Sequence, residues 1–182
     1  MSAAAELEAA AAVTAPEFGT AGRWLFTACR VAAVAGTLVF VALVAMSIVS
    51  IGGRKLASMP VPGDVELLQL CAAFASSSFF AWCHLNQGDV KVDFFTERLP
   101  ARWVNLLDAL ASLIVASVGA LLAWRTGAAV VEAFDVGETT MILGLPLWPG
   151  PALMVPGFLL LSLAGLYRCA LHLRRARRGG LG

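Results

Sequence analysis

Charged residues are distributed unevenly along the chain and leave four long stretches without Asp, Glu, Lys or Arg. These stretches are residues 31–53, 67–88, 109–124 and 139–167. Each is apolar on every face, as a lipid-embedded helix is, whereas a transmembrane strand alternates polar and apolar positions. A helix needs about 20 mostly apolar residues to cross a bilayer. The pattern therefore predicts four transmembrane helices, at about residues 24–50, 65–85, 103–131 and 152–173.

The composition agrees with a membrane protein. Hydrophobic residues make up 59% of the 182 residues, charged residues 14%, and the mean hydropathy is +0.81. A soluble fold of this length has no core large enough for so much apolar surface. We expect an all-α integral membrane protein with a flexible tail at residues 1–22, a four-helix membrane domain at residues 23–173 and a basic tail at residues 174–182. Glu6, Glu8 and Glu17 stand where a secretory signal would be basic or apolar, so the first helix is expected to be an uncleaved anchor.

The basic residues predict the orientation of the chain in the membrane. With four spans both termini lie on one side, and of the 13 Lys and Arg only Arg54, Lys55 and Arg125 fall on the other side. Because cytoplasmic loops collect Lys and Arg, both termini are expected in the cytoplasm. The arginines near the C-terminus are expected to contact membrane lipids with anionic head groups, and a nucleic-acid partner is not expected because no folded module supports them.

The segment at residues 86–100, NQGDVKVDFFTERLP, is charged and lies between the second and third predicted helices. If it is helical, Val92, Phe95 and Leu99 share one face while charged residues occupy much of the remainder. That pattern predicts a short amphipathic helix lying along the cytoplasmic membrane surface. A charged connecting loop is the alternative, although solvated loops rarely expose two phenylalanines without a partner.

Several segments, in order along the chain, resemble the small four-span (Q-type) membrane subunit of tripartite ATP-independent periplasmic (TRAP) transporters. The matching pieces are Arg54, PVPGDVELL with Glu66, GDVKVDFFTERLP with Asp89, Lys91, Asp93 and Phe95, LLDAL with Asp108, Trp124, and GETTMILGLPLWP with Gly137, Glu138 and Pro146. The chain departs from the family pattern in two places. Asp89 stands where the family usually has histidine, and Thr140 stands near a position that is commonly serine.

The resemblance implies a scaffold subunit of a secondary transporter in the bacterial inner membrane. In this family a large permease subunit carries the moving transport domain, and a periplasmic binding protein delivers the solute. Uptake is driven by an ion gradient, usually sodium, and the substrates are typically organic acids. The resemblance makes the residues quoted above candidates for family-specific contacts or for the interface with the large subunit. The segment at residues 86–100 would brace the scaffold along the membrane.

The residues themselves agree with a passive role. The spans show no ionisable residue at mid-membrane and no interrupted helices in repeated halves, which transporters use for their own sites. Residues 31–42 and 111–123 are rich in small side chains, which let helices approach closely in lipid. They pack either within the four-helix unit or against the larger subunit, and the sequence does not choose between these.

Other functional classes find less support in the sequence. The only two histidines, His84 and His172, are predicted at one depth, so they could ligate a haem in a four-helix membrane cytochrome. The position of His172 among arginines at a helix end argues against this alternative. No nucleophile with a neighbouring base, no phosphate loop and no close cysteine spacing occurs, so we expect neither an enzyme nor a metal or other cofactor.

Overall fold

The computed structural model describes residues 20–57, 63–86 and 101–178, which form four α-helices. They are α1 (Thr20–Ala57), α2 (Asp64–Leu85), α3 (Ala101–Val136) and α4 (Pro149–Arg178). All four are long and apolar enough to cross a membrane. The prediction of an all-α protein with four membrane spans is confirmed. Residues 1–19 of the tail predicted at residues 1–22 lie outside the described residues, and so does the interfacial helix predicted after Asn86; residues 20–22 belong to α1.

The helices extend beyond the predicted spans because polar residues continue them outside the hydrocarbon. With 36 residues, α3 is about 54 Å long, against a hydrocarbon thickness of about 30 Å. It ends at Val136, and the next residue, Gly137, has a left-handed φ of 69°. The amide of Glu138 donates to the carbonyl of Ala133 at 3.3 Å, which is the hydrogen bond of a glycine-terminated helix end. The arginines after Leu173 likewise continue α4 to Arg178.

The helices are arranged in a row rather than in a closed bundle. α1 packs on α2, α2 packs on α4, and α4 packs on α3, while α1 touches α4 only weakly. Within the described residues the backbone of α3 approaches neither α1 nor α2. The chain order α1, α2, α3, α4 thus becomes the spatial order α1, α2, α4, α3. The row has two broad faces and two outer edges, and α4 separates α2 from α3.

Glycines and other small residues line every seam of the row. A Cβ added to Gly36 of α1 would lie 3.2 Å from the carbonyl oxygen of Ala75 in α2. One added to Gly157 of α4 would lie 2.8 Å from the backbone of Ser77 in α2. On α3 the buried stripe is built from small residues at alternating intervals of three and four: Ala109, Ser112, Ala116, Gly119 and Ala123. At Gly36 and Gly119, therefore, the small residues pack within the chain.

Large apolar side chains point away from the seams. On α1, Val31, Leu38 and Ile48 each expose more than half of their surface, and on α3 the same holds for Leu110 and Ile114. The largest fully buried side chains include only one large aliphatic residue, Leu85. The described helices have little apolar core of their own, so lipid or another protein must cover their outer surface.

Candidate interaction site at the hairpin end

One end of the row carries the connection between α3 and α4, and we call this the hairpin end. Residues 137–148 form a small hairpin in which Thr139 and Pro146 make an antiparallel bridge. The amide of Thr140 donates to the carbonyl of Leu145 at 2.8 Å, and the amide of Leu147 donates to the carbonyl of Glu138 at 2.9 Å. Gly144, with a φ of 62°, supplies the left-handed residue that the reversal requires.

The hydroxyl of Thr140 holds the turn from inside. Thr140 is only 9% exposed, and its Oγ1 accepts the amide of Leu145 at 3.1 Å. The carbonyl of Thr140 accepts the amide of Gly144 at 3.1 Å. A serine offers the same hydroxyl, so the departure from the resembled pattern at this position keeps the hydrogen bond.

Glu66, on the first turn of α2, clamps the tip of the hairpin. Its carboxylate accepts the amide of Ile142 at 2.8 Å and the amide of Leu143 at 3.2 Å. Behind the clamp, Gly63 has a φ of 71°, and a Cβ there would lie 2.4 Å from the side chain of Leu143. The segment before α2 and the hairpin before α4, separated by more than 70 residues, therefore form one unit.

Arg54 joins α1 to the same end of the molecule. Its guanidinium lies 3.4 Å from Asp64, and its own side chain is 63% exposed. Asp64 also accepts the hydroxyl of Ser50 at 2.5 Å, and Ser50 is 1% exposed. An exposed ion pair contributes little, so the buried Ser50 hydrogen bond is the stronger link between α1 and α2 here.

The structure brings together some of the predicted residues and separates others. Glu66 and Gly137 hold the hairpin, while the side chains of Glu138 and Pro146 are exposed on it. Asp108 lies at the opposite end of the row, and Asp89, Lys91, Asp93 and Phe95 lie outside the described residues.

The opposite end of the row is fixed by a buried polar cluster. Arg168 of α4, 8% exposed, donates to the carbonyl of Leu85 and so caps the C-terminus of α2. The Nδ1 atom of His172, 4% exposed, lies 3.5 Å from Oδ1 of Asn105 and 3.8 Å from Oδ2 of Asp108. These contacts tie α4 to both of its neighbours.

Arg168, Ser50 and Asp64 were not predicted as contact residues. Their signals are weak but visible. Arg168 interrupts an apolar helix one turn before His172, and Asp64 follows Pro62–Gly63 immediately before an apolar stretch. The partners of Arg168 and Ser50 follow only from the arrangement of the helices.

The family model for the DctQ component of tripartite ATP-independent periplasmic transporters matches residues 40–175. This range holds the Glu66 clamp, the hairpin and the polar cluster at the opposite end. The chain belongs to this family. No curated protein and no solved structure gives a significant match.

As a DctQ-family protein, the chain is the small permease component of a TRAP transporter. With four helices that can span a membrane, it is a multi-pass protein of the inner membrane. The family is that of a transporter component and not of an enzyme. The resemblance read from the quoted segments is thus confirmed.

Proposed function

We propose that this DctQ-family chain is a static scaffold subunit. In this proposal it binds the large permease subunit and widens the platform against which the transport domain moves. The complex takes up organic acids that a periplasmic binding protein delivers, driven by an ion gradient. The observation that carries the proposal is the row of helices, which buries mainly small side chains and leaves large apolar residues exposed on its outer surface.

The exposed surface supports a partner within the membrane. A protein that worked alone would gain more packing contacts by closing its helices into a bundle, because each helix would then pack on two neighbours. Here α1 and α3 are outer helices with one principal neighbour each. An outer helix with a free flank is suited to pack against a larger membrane subunit.

The charged residues support a passive role in transport. Arg168 and His172 are both engaged in contacts between helices, and Arg54 and Asp64 join two helix ends. A substrate or ion path needs ionisable groups that face a cavity at mid-membrane. In the described helices these side chains instead lie toward the ends and hold the row together.

We place the hairpin end in the periplasm and the opposite end in the cytoplasm, following the basic-residue rule. We also propose that residues 86–100 form the interfacial helix expected from the sequence. Leu85 and Ala101 end and begin helices that lie on either side of α4. In this proposal the connection between them is an amphipathic helix that passes α4 at the membrane surface and braces the row.

The cytochrome alternative gains no support. The family is a transporter component, and the contact of Arg168 with the carbonyl of Leu85 brings α4 against α2 beside His84. His172 faces Asn105 and Asp108 on α3. The Nδ1 atom of His172 is therefore engaged by α3, whereas the cytochrome alternative needs this residue as a haem ligand.

Co-expression tests the scaffold proposal. The tagged chain is produced alone, with its cognate large permease, and with a large permease from a system for another solute as the control. We expect co-purification and a higher yield of monodisperse protein only with the cognate permease. Solute uptake into vesicles should need both membrane subunits and the binding protein. A chain that is equally monodisperse alone and captures no permease would contradict the proposal.

Labelling tests the orientation. In a background without the four native cysteines, Val136→Cys at the exposed end of α3 should react with an impermeant thiol reagent added from the periplasm. Arg174→Cys near the end of α4 should react only from the cytoplasm. The reverse pattern would refute the assignment of sides.

A further inference from the structure

The two outer edges of the row differ in charge. The side of α3 that faces away from α4 carries a line of exposed residues, which we call the outer ridge: Leu107, Ile114, Val118, Leu121 and Arg125. The helix at the other edge, α1, has no charged residue from position 31 to position 53. One edge of the row is therefore apolar across most of the hydrocarbon, and the other carries a cation.

The direction of Arg125 follows from the period of the helix. Ala116 belongs to the buried stripe of α3, and its side chain would lie 2.9 Å from a Cβ added to Gly165 of α4. Arg125 comes nine residues after Ala116, which at about 100° per residue places it on the opposite side of α3. Its side chain is exposed, and within the described part of the chain no hydrogen bond or ion pair reaches it.

Arg125 lies at the depth of the lipid tails. Gly119, at the middle of the span Trp103–Val136, approaches Ser162, at the middle of the span Pro149–Arg177. Arg125 is six residues from Gly119, or about 9 Å along the helix, whereas the hydrocarbon extends about 15 Å from the midplane. Because a guanidinium stays charged in proteins, it is unfavourable for this side chain to face lipid tails.

The direction of α3 also turns Arg125 away from the nearest lipid phosphates. The Cα–Cβ bonds of a helix tilt toward its N-terminus, which for α3 is the end opposite the hairpin. The side chain of Arg125 therefore leaves the backbone toward the bilayer centre. Arg30 of α1 is the contrasting case. It lies about 13 Å from the middle of the span Gly22–Lys55, and its Cβ points toward the membrane surface that is already nearest to it.

We propose that the outer ridge of α3 binds the large permease subunit, and that Arg125 pairs there with a carboxylate on a membrane-spanning helix of that subunit; this rests on the scaffold role proposed above. A carboxylate at this depth supplies the opposite charge that a guanidinium needs away from water. The apolar members of the ridge recur at intervals of three, four or seven residues, which is the spacing that one helix presents to another. The edge formed by α1 carries no such charge and faces lipid.

The affinity for the permease tests the role of Arg125. The fluorescently labelled chain is titrated with its cognate large permease in mixed micelles, and energy transfer gives the Kd. Arg125→Leu should raise the Kd about 30-fold or more, because it leaves the permease carboxylate buried without its partner. Arg125→Lys should bind more tightly than Arg125→Leu, since it restores the charge without the planar fork of the guanidinium. The matched control Arg30→Leu should change the Kd by less than about threefold.

Photocross-linking gives a second measurement that leaves Arg125 in place. A photoreactive phenylalanine analogue in place of Leu121, which is 60% exposed, should cross-link to the permease. The same analogue in place of Val41 of α1, which is 61% exposed, should react with lipid. The permease segment cross-linked from Leu121 should be membrane-spanning and contain an Asp or Glu.

The outcomes separate this interface from the scaffold role itself. If wild type binds the permease but Arg125→Leu binds it equally well, or if the permease cross-links from Val41, the interface on the outer ridge is wrong and the scaffold role stands. Cross-links from Leu121 to lipid alone would show that Arg125 reaches a lipid phosphate, and would also overturn the interface. If wild type does not bind the permease at all, the scaffold role fails.

Discussion

Replacing Gly119 by alanine should weaken the seam between α3 and α4, whereas the same change at Gly127 should not. Both glycines lie within α3, two turns apart. A Cβ on Gly119 would stand 2.9 Å from the backbone nitrogen of Ser162 and 3.2 Å from its Cα. A Cβ on Gly127 would meet no atom within 4 Å. The two variants therefore differ in packing and not in chemistry.

The size of the effect follows from this comparison. Favourable contacts between carbon atoms lie at about 3.5–4.0 Å, so α4 must move away from α3 by roughly half an ångström or more. Such overpacking typically costs about 1–3 kcal/mol. Both variants gain the same helix propensity, about 1 kcal/mol for glycine to alanine. Because that gain cancels between them, Gly119→Ala should be less stable than Gly127→Ala by about 1–3 kcal/mol.

Reversible unfolding in mixed micelles, followed by circular dichroism as a denaturing detergent is added, measures this difference. Gly165→Ala provides a second reading from the facing helix, because a Cβ there would lie 2.8 Å from the backbone of Ala116 and of Ser112. It should resemble Gly119→Ala. If Gly119→Ala and Gly127→Ala agree within about 0.5 kcal/mol, the close approach of α3 and α4 is wrong.

Three further predictions concern the hairpin and the segment after α2. Glu66→Gln should speed hydrogen exchange at the two hairpin amides that the carboxylate accepts, while Glu138→Gln, whose side chain is exposed, should leave them unchanged; equal exchange would rule out the clamp. Gly137→Ala should lower the free energy of unfolding by about 1–2 kcal/mol in the micelle assay, because the φ of 69° at this position is left-handed. A Cβ at this position would meet no atom within 4 Å, so the cost comes from the backbone alone. An unchanged free energy would mean that the helix end adopts another conformation. If the segment after α2 is an interfacial helix, Phe95→Asp should abolish co-purification with the large permease, because an unpaired charge in an interface costs several kcal/mol. The control Glu97→Gln should alter stability by less than about 0.5 kcal/mol. Normal assembly and uptake by Phe95→Asp would favour the solvated loop.

Part of the candidate site could be read from the sequence and part could not. The resemblance marked Glu66 and the segment from Gly137 to Pro149 as separate pieces of one pattern. It gave no indication that Glu66 binds the amides of Ile142 and Leu143, because these acceptor and donor groups lie 76 and 77 residues apart. Every residue except proline has a backbone amide, so the sequence does not show which amide a side chain will bind. The buried contact of Arg168 with Leu85 is hidden for the same reason.

The predictions for Asp89, Lys91, Asp93 and Phe95 stay predictions, since these residues lie outside the described part of the chain. Asp108 was quoted as part of the family segment LLDAL, and in the structure it lies beside His172. That contact joins α3 to α4 and needs both helices in position. A pattern along one helix cannot specify it.

The sequence by itself determined the number of membrane-spanning helices in the described part of the chain, their approximate bounds and their membrane setting. These follow from the transfer of each segment into lipid, which depends on that segment's own charge and hydropathy. The prediction ended the third helix at about residue 131, whereas α3 continues to Val136. The order of the helices in the row was decided only by tertiary structure. In lipid the inner and outer faces of a helix are both apolar, so no hydrophobic period shows which face meets a neighbour. The pairing of helices depends instead on close backbone approaches, as at Gly36, Gly119 and Gly157. Such an approach depends on the shapes of both helices together and is not visible in the sequence of either one.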